Sequence, residues 1–193
     1  MITTEQIKQL RDETGVSVMQ CKKALEEAGG DIEKAKIILR KISKISADKK
    51  ADRTLGAGAV VSYIHAGGAV GVLLELFCET DFVAKNDEFK VLAKDIAMHV
   101  AALSPEYLKA EDIREEDRAK AKELFEKEAG DKPQEIRDKI VEGKLSAYFS
   151  EKVLLEQAFI KNPEMTIKAL LEQASQKFGE RTEVGRFARF SIH

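Results

Sequence analysis

The chain has 193 residues, enough for one large domain or a small module plus a larger core. Apolar residues make up 44% and charged residues 34%, with a formal net charge of −2. This composition predicts a sizeable core and a well-solvated surface, and it argues against a nucleic-acid binder, which would carry a basic excess or stripe. Aromatics are only 6% and Trp is absent, which disfavours an array of base-stacking rings.

Residues 1–42 read as three short capped helices. Thr3 caps the first, Gln6 takes the capping-box position, and Ile7 and Leu10 share a face before Thr14-Gly15 ends it. Ser17 caps the second, with an apolar face of Val18, Cys21, Ala24, Leu25 and Ala28, and Gly29-Gly30 stops it. Asp31 caps the third, which runs on Ile32, Ala35, Ile38, Leu39 and Ile42. Residues 43–55 lose the apolar periodicity, are rich in lysine, and read as a linker, in part helical.

From Gly56 the pattern turns to strands. Ala57–Ala66 and Val70–Glu79 flank Gly67-Gly68, a hairpin signal, and Val70, Val72, Leu74, Leu76 and Cys78 share one face of the second strand. Thr80-Asp81-Phe82-Val83 follows, at the tip of a strand-to-helix connection. Phe82 there is either a staple packed onto the next helix or a side chain offered to a partner. That helix starts at Asn86 with a stripe of Phe89, Leu92, Ala93, Ile96, Ala97, Val100 and Leu103. Ser104-Pro105 is expected to start a further short helical turn. Glu115–Ala129 reads as a charged helix whose main apolar side chains are Leu124 and Phe125. Pro133 opens another, through Ile136, Ile140, Val141, Leu145 and Phe149. Thr166 caps a helix through Ile167, Leu170, Leu171 and Ala174, and Glu183–Ile192 is a final strand. The expected fold is α+β, a three-stranded antiparallel sheet with helices over one face, occupying residues 56–193.

No catalytic constellation stands out. His99 lies beside an apolar helix stripe and reads as structural, and His193 as a frayed terminus. His65 sits at the hairpin tip, where partner contact and simple solvation are both open. Cys21 and Cys78 read as small core residues, and no His or Cys pair has metal-ligand spacing, so neither a metal nor a cofactor is expected. The start of the chain lacks signal-peptide features and no apolar run approaches the roughly 20 residues that span a bilayer, so a cytoplasmic protein without membrane contact is expected. Met19 lies off the Cys21/Leu25 stripe and is expected to be exposed.

Several ordered motifs carry a resemblance. They are Leu10-Arg11-Asp12-Glu13-Thr14-Gly15, Met19-Gln20-Cys21-Lys22-Lys23-Ala24-Leu25 with Gly30-Asp31-Ile32, Thr80-Asp81-Phe82-Val83-Ala84-Lys85-Asn86, and Ile96-Ala97-Met98-His99-Val100-Ala101-Ala102 with Pro105-Glu106-Tyr107. Leu155-Glu156-Gln157-Ala158-Phe159 and Arg186-Phe187-Ala188-Arg189-Phe190 complete the set. Together they resemble the bacterial translation elongation factor Ts family over essentially the whole chain.

That resemblance implies a ubiquitin-associated-like fold for residues 1–42 and an exchange factor that has no active site of its own. It implies binding to GDP-bound and nucleotide-free elongation factor Tu and release of GDP by dislodging magnesium and disturbing the phosphate site. Carried over, Phe82 is the wedge, Asp81 its polar companion, and Thr80 and Val83 shape the turn. Arg11, Val18 and Met19 would hold the partner's GTPase domain, and His65 another of its domains. Longer relatives carry a second core half and often a helical-hairpin insertion. A single core copy here implies a homodimer, supported by the open sheet edges. Gln20 stands where an acidic residue is frequent and Ala158 where Pro is frequent. The final strand has no cysteine, which excludes a disulfide between two such strands. The alternative is a module that docks a helix or a ubiquitin-like surface without exchange.

Overall fold

The computed structural model describes residues 2–130 and 133–192; His193, expected to fray, lies outside the described residues. The N-terminal helices are α1 (Thr4–Thr14), α2 (Val18–Glu27) and α3 (Ile32–Asp48). Each starts where a side-chain oxygen takes an otherwise orphaned amide: Thr3 from Gln6, Ser17 from Gln20 and Asp31 from Lys34. Only Thr3 and Gln6 complete a reciprocal capping box. Gly15, at φ 66°, turns the chain out of α1 in a conformation that penalises any side chain with a Cβ. Leu10, Val16, Cys21, Ala24, Leu25, Ala35 and Leu39 form the small core between the three helices. Val18, expected on the inner stripe, is instead exposed.

The third helix runs past the expected boundary at Ile42. Ser43 is buried, and its hydroxyl lies within hydrogen-bond reach of the Leu39 carbonyl and of Gln176 Oε1. The first part of the lysine-rich segment therefore stays helical to Asp48, because it packs on a helix near the C-terminus and contains no Pro or Gly to break it.

The sheet comprises β1 (Ala57–Ile64), β2 (Val70–Cys78) and β5 (Glu183–Ser191) in the order β1-β2-β5, all antiparallel. The register sets Val61 opposite Leu74 and Leu74 opposite Phe187, with an irregularity between Leu74 and Leu76. Gly67 and Gly68 close the first hairpin at φ 87° and 74°. Inward residues Val72, Leu74, Leu76 and Cys78 are buried under α5 (Asp87–Leu103), whose Phe89, Ala93, Ile96, Ala97 and Val100 face them. The opposite face of the sheet leaves Val60, Ile64, Leu73 and Phe190 exposed.

Ser104-Pro105 does not start a helix. Ser104 adopts φ 51° as the C-cap of α5, and the chain beyond it is not helical until Ala110. Its backbone pairs elsewhere: Glu106 and Tyr107 N–H both donate to the Lys152 carbonyl, and Leu154 N–H to that of Tyr107. A short 3-10 turn follows only at Ala110–Asp112.

Helices α6 (Glu115–Ala129) and α7 (Gln134–Ser150) pair as a helical hairpin, an association that the sequence reading of two separate helices did not contain. Phe125 packs edge-on against Tyr148 at 5.6 Å between centroids, while Leu124 faces solvent. Tyr107, Ala121, Phe149 and Val153 form a separate small apolar cluster between the hairpin and the segments that flank it. A small hairpin, β3 (Ala158–Phe159) and β4 (Asn162–Thr166), was not legible as strands and leads into α8 (Ile167–Phe178). Among the described residues, no helix is long and apolar enough to cross a membrane.

Candidate functional site

The Thr80–Val83 segment is a one-turn helix rather than a bare turn: α4 covers Asp81–Lys85, and Asn86 both ends it and caps α5 through Glu88 N–H at 2.8 Å. Its orientation follows from what packs beneath it. Val83 is buried against the core beside Cys78, so its neighbour Phe82 is turned out by roughly 100° of helix rotation. Phe82 is 81% exposed. The inward-staple reading of Phe82 is therefore wrong, because Val83 occupies the inward position.

Asp81 is exposed and accepts a hydrogen bond from Lys85 Nζ at 2.5 Å. That bond, followed by the lysine's charge, holds its carboxyl below the usual range. Thr80 occupies the N-cap position with extended backbone, yet its hydroxyl makes no cap bond. The hydroxyl donates instead to Glu180 Oε1 at 2.5 Å.

Glu180 also accepts the backbone N–H groups of Glu79 and Thr80 through Oε2, each at 3.0 Å. The clamp is reciprocal, since Glu79 accepts Arg181 N–H at 2.6 Å and the Arg53 guanidinium at 3.2 Å. Burial works against ionisation of Glu79, but the Arg181 amide and the Arg53 guanidinium outweigh it and leave the carboxyl below its ordinary pKa. Arg181 in turn donates to the Arg53 carbonyl at 2.7 Å.

The N-terminal candidates gather at one corner. Arg11 lies in the last turn of α1, and Val18 and Met19 in the first turn of α2, joined through Gly15. Arg11 and Val18 are exposed, and Met19 is 76% exposed. The C-terminal end of α8 ties this corner to the core: Gln173 donates to the Thr14 carbonyl, and Lys177 lies beside Gly15 and pairs with Glu88 at 2.7 Å. Thus the Gly15 corner and the α4–α5 junction meet through one element.

His65 is not part of that group. It sits at the β1–β2 tip, the end of β2 remote from Thr80, roughly 30 Å away at about 3.4 Å per strand residue. It is exposed, with Nδ1 3.2 Å from the Tyr63 hydroxyl. His99 is buried, and both of its ring nitrogens are partnered, one by Gln157 and one by Ile160 N–H. Both cysteines are buried, and burial pushes their thiols up in pKa. Among the described residues, no group of three or more His, Cys, Asp or Glu could hold a metal ion.

Glu79, Lys177, Glu180 and Arg181 were missed by sequence reasoning. The only local signal was Gly179, which ends α8 at φ 74° and releases the chain toward the strand end. Partners a hundred residues apart leave no periodic trace.

The family model described as Elongation factor TS matches residues 3–193. Proteins named elongation factor Ts are similar over nearly the full length. The one from Carboxydothermus hydrogenoformans is 50% identical, covering 100% of this chain and 89% of its own. That from Thermodesulfovibrio yellowstonii is 50% identical over 99% and 96%. That from Thermosipho melanesiensis is 47% identical over 100% and 99%.

Proposed function

The chain belongs to the elongation factor Ts family, and on that premise we propose that it is a guanine-nucleotide exchange factor for elongation factor Tu. It binds the GDP-bound and nucleotide-free partner in the cytoplasm and drives GDP release by dislodging the partner's magnesium ion and disturbing the phosphate site. The observation that carries this reading is Phe82, 81% exposed on a helix anchored by a buried Val83. An isolated exposed phenylalanine is ordinary, but one at the tip of a braced turn has its contact surface ready and little ordering left to do on binding.

Magnitudes bear on mechanism. Accelerating release by roughly four decades requires about 5.5 kcal/mol. Burying one Phe side chain supplies ~1.5–3 kcal/mol. Phe82 burial alone falls short, so loss of the magnesium contacts has to contribute the remainder. Linkage adds that GDP weakens binding of the factor as much as the factor weakens GDP. In this reading Asp81 is the polar companion of Phe82, Arg11, Val18 and Met19 hold the GTPase domain, and His65 reaches a different partner domain.

The exposed sheet face with Val60, Ile64, Leu73 and Phe190 supports a homodimer in which two chains supply the two core halves. The exposed Val18–Met19 corner would equally serve a docking module without exchange activity. Measuring GDP release from elongation factor Tu with and without the protein separates the two: acceleration supports exchange, and binding without acceleration leaves only the module.

A further inference from the structure

We infer that Glu180 is a positioning residue for the Phe82 wedge, holding the base of α4 through three hydrogen bonds; this rests on the exchange reading above. The β2–β5 ladder ends at Phe77 opposite Glu183. Past Cys78, the last residue of β2, the amides of Glu79 and Thr80 have run out of strand partners, and the Glu180 carboxylate takes both. It takes the Thr80 hydroxyl as well, which is why the N-cap side chain of α4 leaves its own helix uncapped. Three donors on one carboxylate are charge-assisted bonds and set direction as well as energy.

A helix of only five residues has little stability of its own. Its orientation is imposed from two sides: Val83 in the core below, and Glu180 at its entry. The return bond from Arg181 N–H to Glu79 makes the clamp two-way, so neither chain segment can shift without breaking bonds in both directions. Lys177, on the same helix end, reaches Gly15 and Glu88. The α8 terminus therefore fixes the wedge and the N-terminal corner relative to one another. Phe82 stands 81% exposed on α4 and depends on this machinery for its aim.

The test is a saturation curve of GDP release from elongation factor Tu for the wild type, Glu180→Ala, Glu180→Gln, Phe82→Ala and the Phe82→Ala/Glu180→Ala double variant. Glu180→Ala is expected to lower the maximal rate about tenfold, the worth of one charge-assisted hydrogen bond, with the half-saturating concentration little changed. Glu180→Gln keeps an acceptor for the two amides and is expected to restore most of the rate. In the Phe82→Ala background, Glu180→Ala is expected to cost nothing further, since its effect passes through Phe82. A Glu180→Ala protein with the wild-type maximal rate, beside an impaired Phe82→Ala, overturns the inference and leaves the wedge standing. Multiplying losses in the double variant also overturn it. A fully active Phe82→Ala removes the wedge itself. If Glu180→Ala does not fold, Glu180→Asp, which keeps the charge but withdraws it by one methylene, takes its place in the same cycle.

Discussion

Phe82 and Phe89 stand on consecutive helices and face opposite ways, the first 81% exposed and the second 0%. Phe89 packs edge-on against Phe178 at 5.8 Å, joining α5 to α8. Phe89→Ala should lower unfolding stability by ~3–5 kcal/mol in urea, whereas Phe82→Ala should stay within about 0.5 kcal/mol of the parent. Similar losses at both positions would contradict the outward placement of Phe82.

The Phe77 ring lies over Gly58 on one neighbouring strand and Gly185 on the other, where an added Cβ would run into it. Gly185→Ala should therefore cost ~1–3 kcal/mol through overpacking. Pairing it with Phe77→Leu should recover part of that loss, read as a non-additive double-mutant cycle in thermal or urea unfolding.

His99 sets a pH dependence. Ile160 N–H donates to Nδ1 at 3.2 Å, so the proton sits on Nε2 and donates to Gln157 Oε1 at 2.9 Å. Burial lowers the ring's pKa from about 6.5, and the Gln157 bond offsets only part of that. With the folded value below the unfolded one, the unfolded chain binds more protons in acid. The contribution to stability is thus complete above about pH 6.5 and declines as the pH falls toward the lowered folded value. The unfolding midpoint of the wild type should drop more between about pH 7.5 and pH 5.5 than that of His99→Gln, which has no ring to protonate. Equal slopes would show that folding leaves the His99 pKa where it is in the unfolded chain.

The open sheet face predicts a change in mass. Val60 is 69% and Phe190 68% exposed on that face. Val60→Glu with Phe190→Lys should convert a dimer to a monomer in sedimentation or light scattering while the fold persists. A parent that is already monomeric at high concentration refutes the dimer.

The helices of the N-terminal module were legible because caps and periodicity coincide at Thr3, Ser17 and Asp31. The strands were legible because Val70 to Cys78 alternates cleanly. What escaped depends on distant chain. Helix α3 continues through Ser43 because α8 lies against it. The chain after Ser104-Pro105 stays out of a helix because the Glu106 and Tyr107 amides pair with the Lys152 carbonyl. The place of Phe82 in the chain could be read from sequence; the local pattern left its direction open between a staple and a side chain offered to a partner, and the resemblance alone implied the outward one. The burial of Val83 and the exposure of Phe82 give the physical reason. Glu180 had no sequence signature, because a carboxylate in a loop after a helix is ordinary until its three donors are seen.

The most direct test of the exchange reading is GDP release from elongation factor Tu in the presence of saturating Phe82→Ala, alongside the unaltered protein. The unaltered protein should accelerate release strongly. The variant should fold, still bind through its N-terminal corner, and lose most of the acceleration: truncating a hot-spot aromatic costs about 2 kcal/mol or more, some thirtyfold in rate. Undiminished acceleration by Phe82→Ala would contradict the wedge.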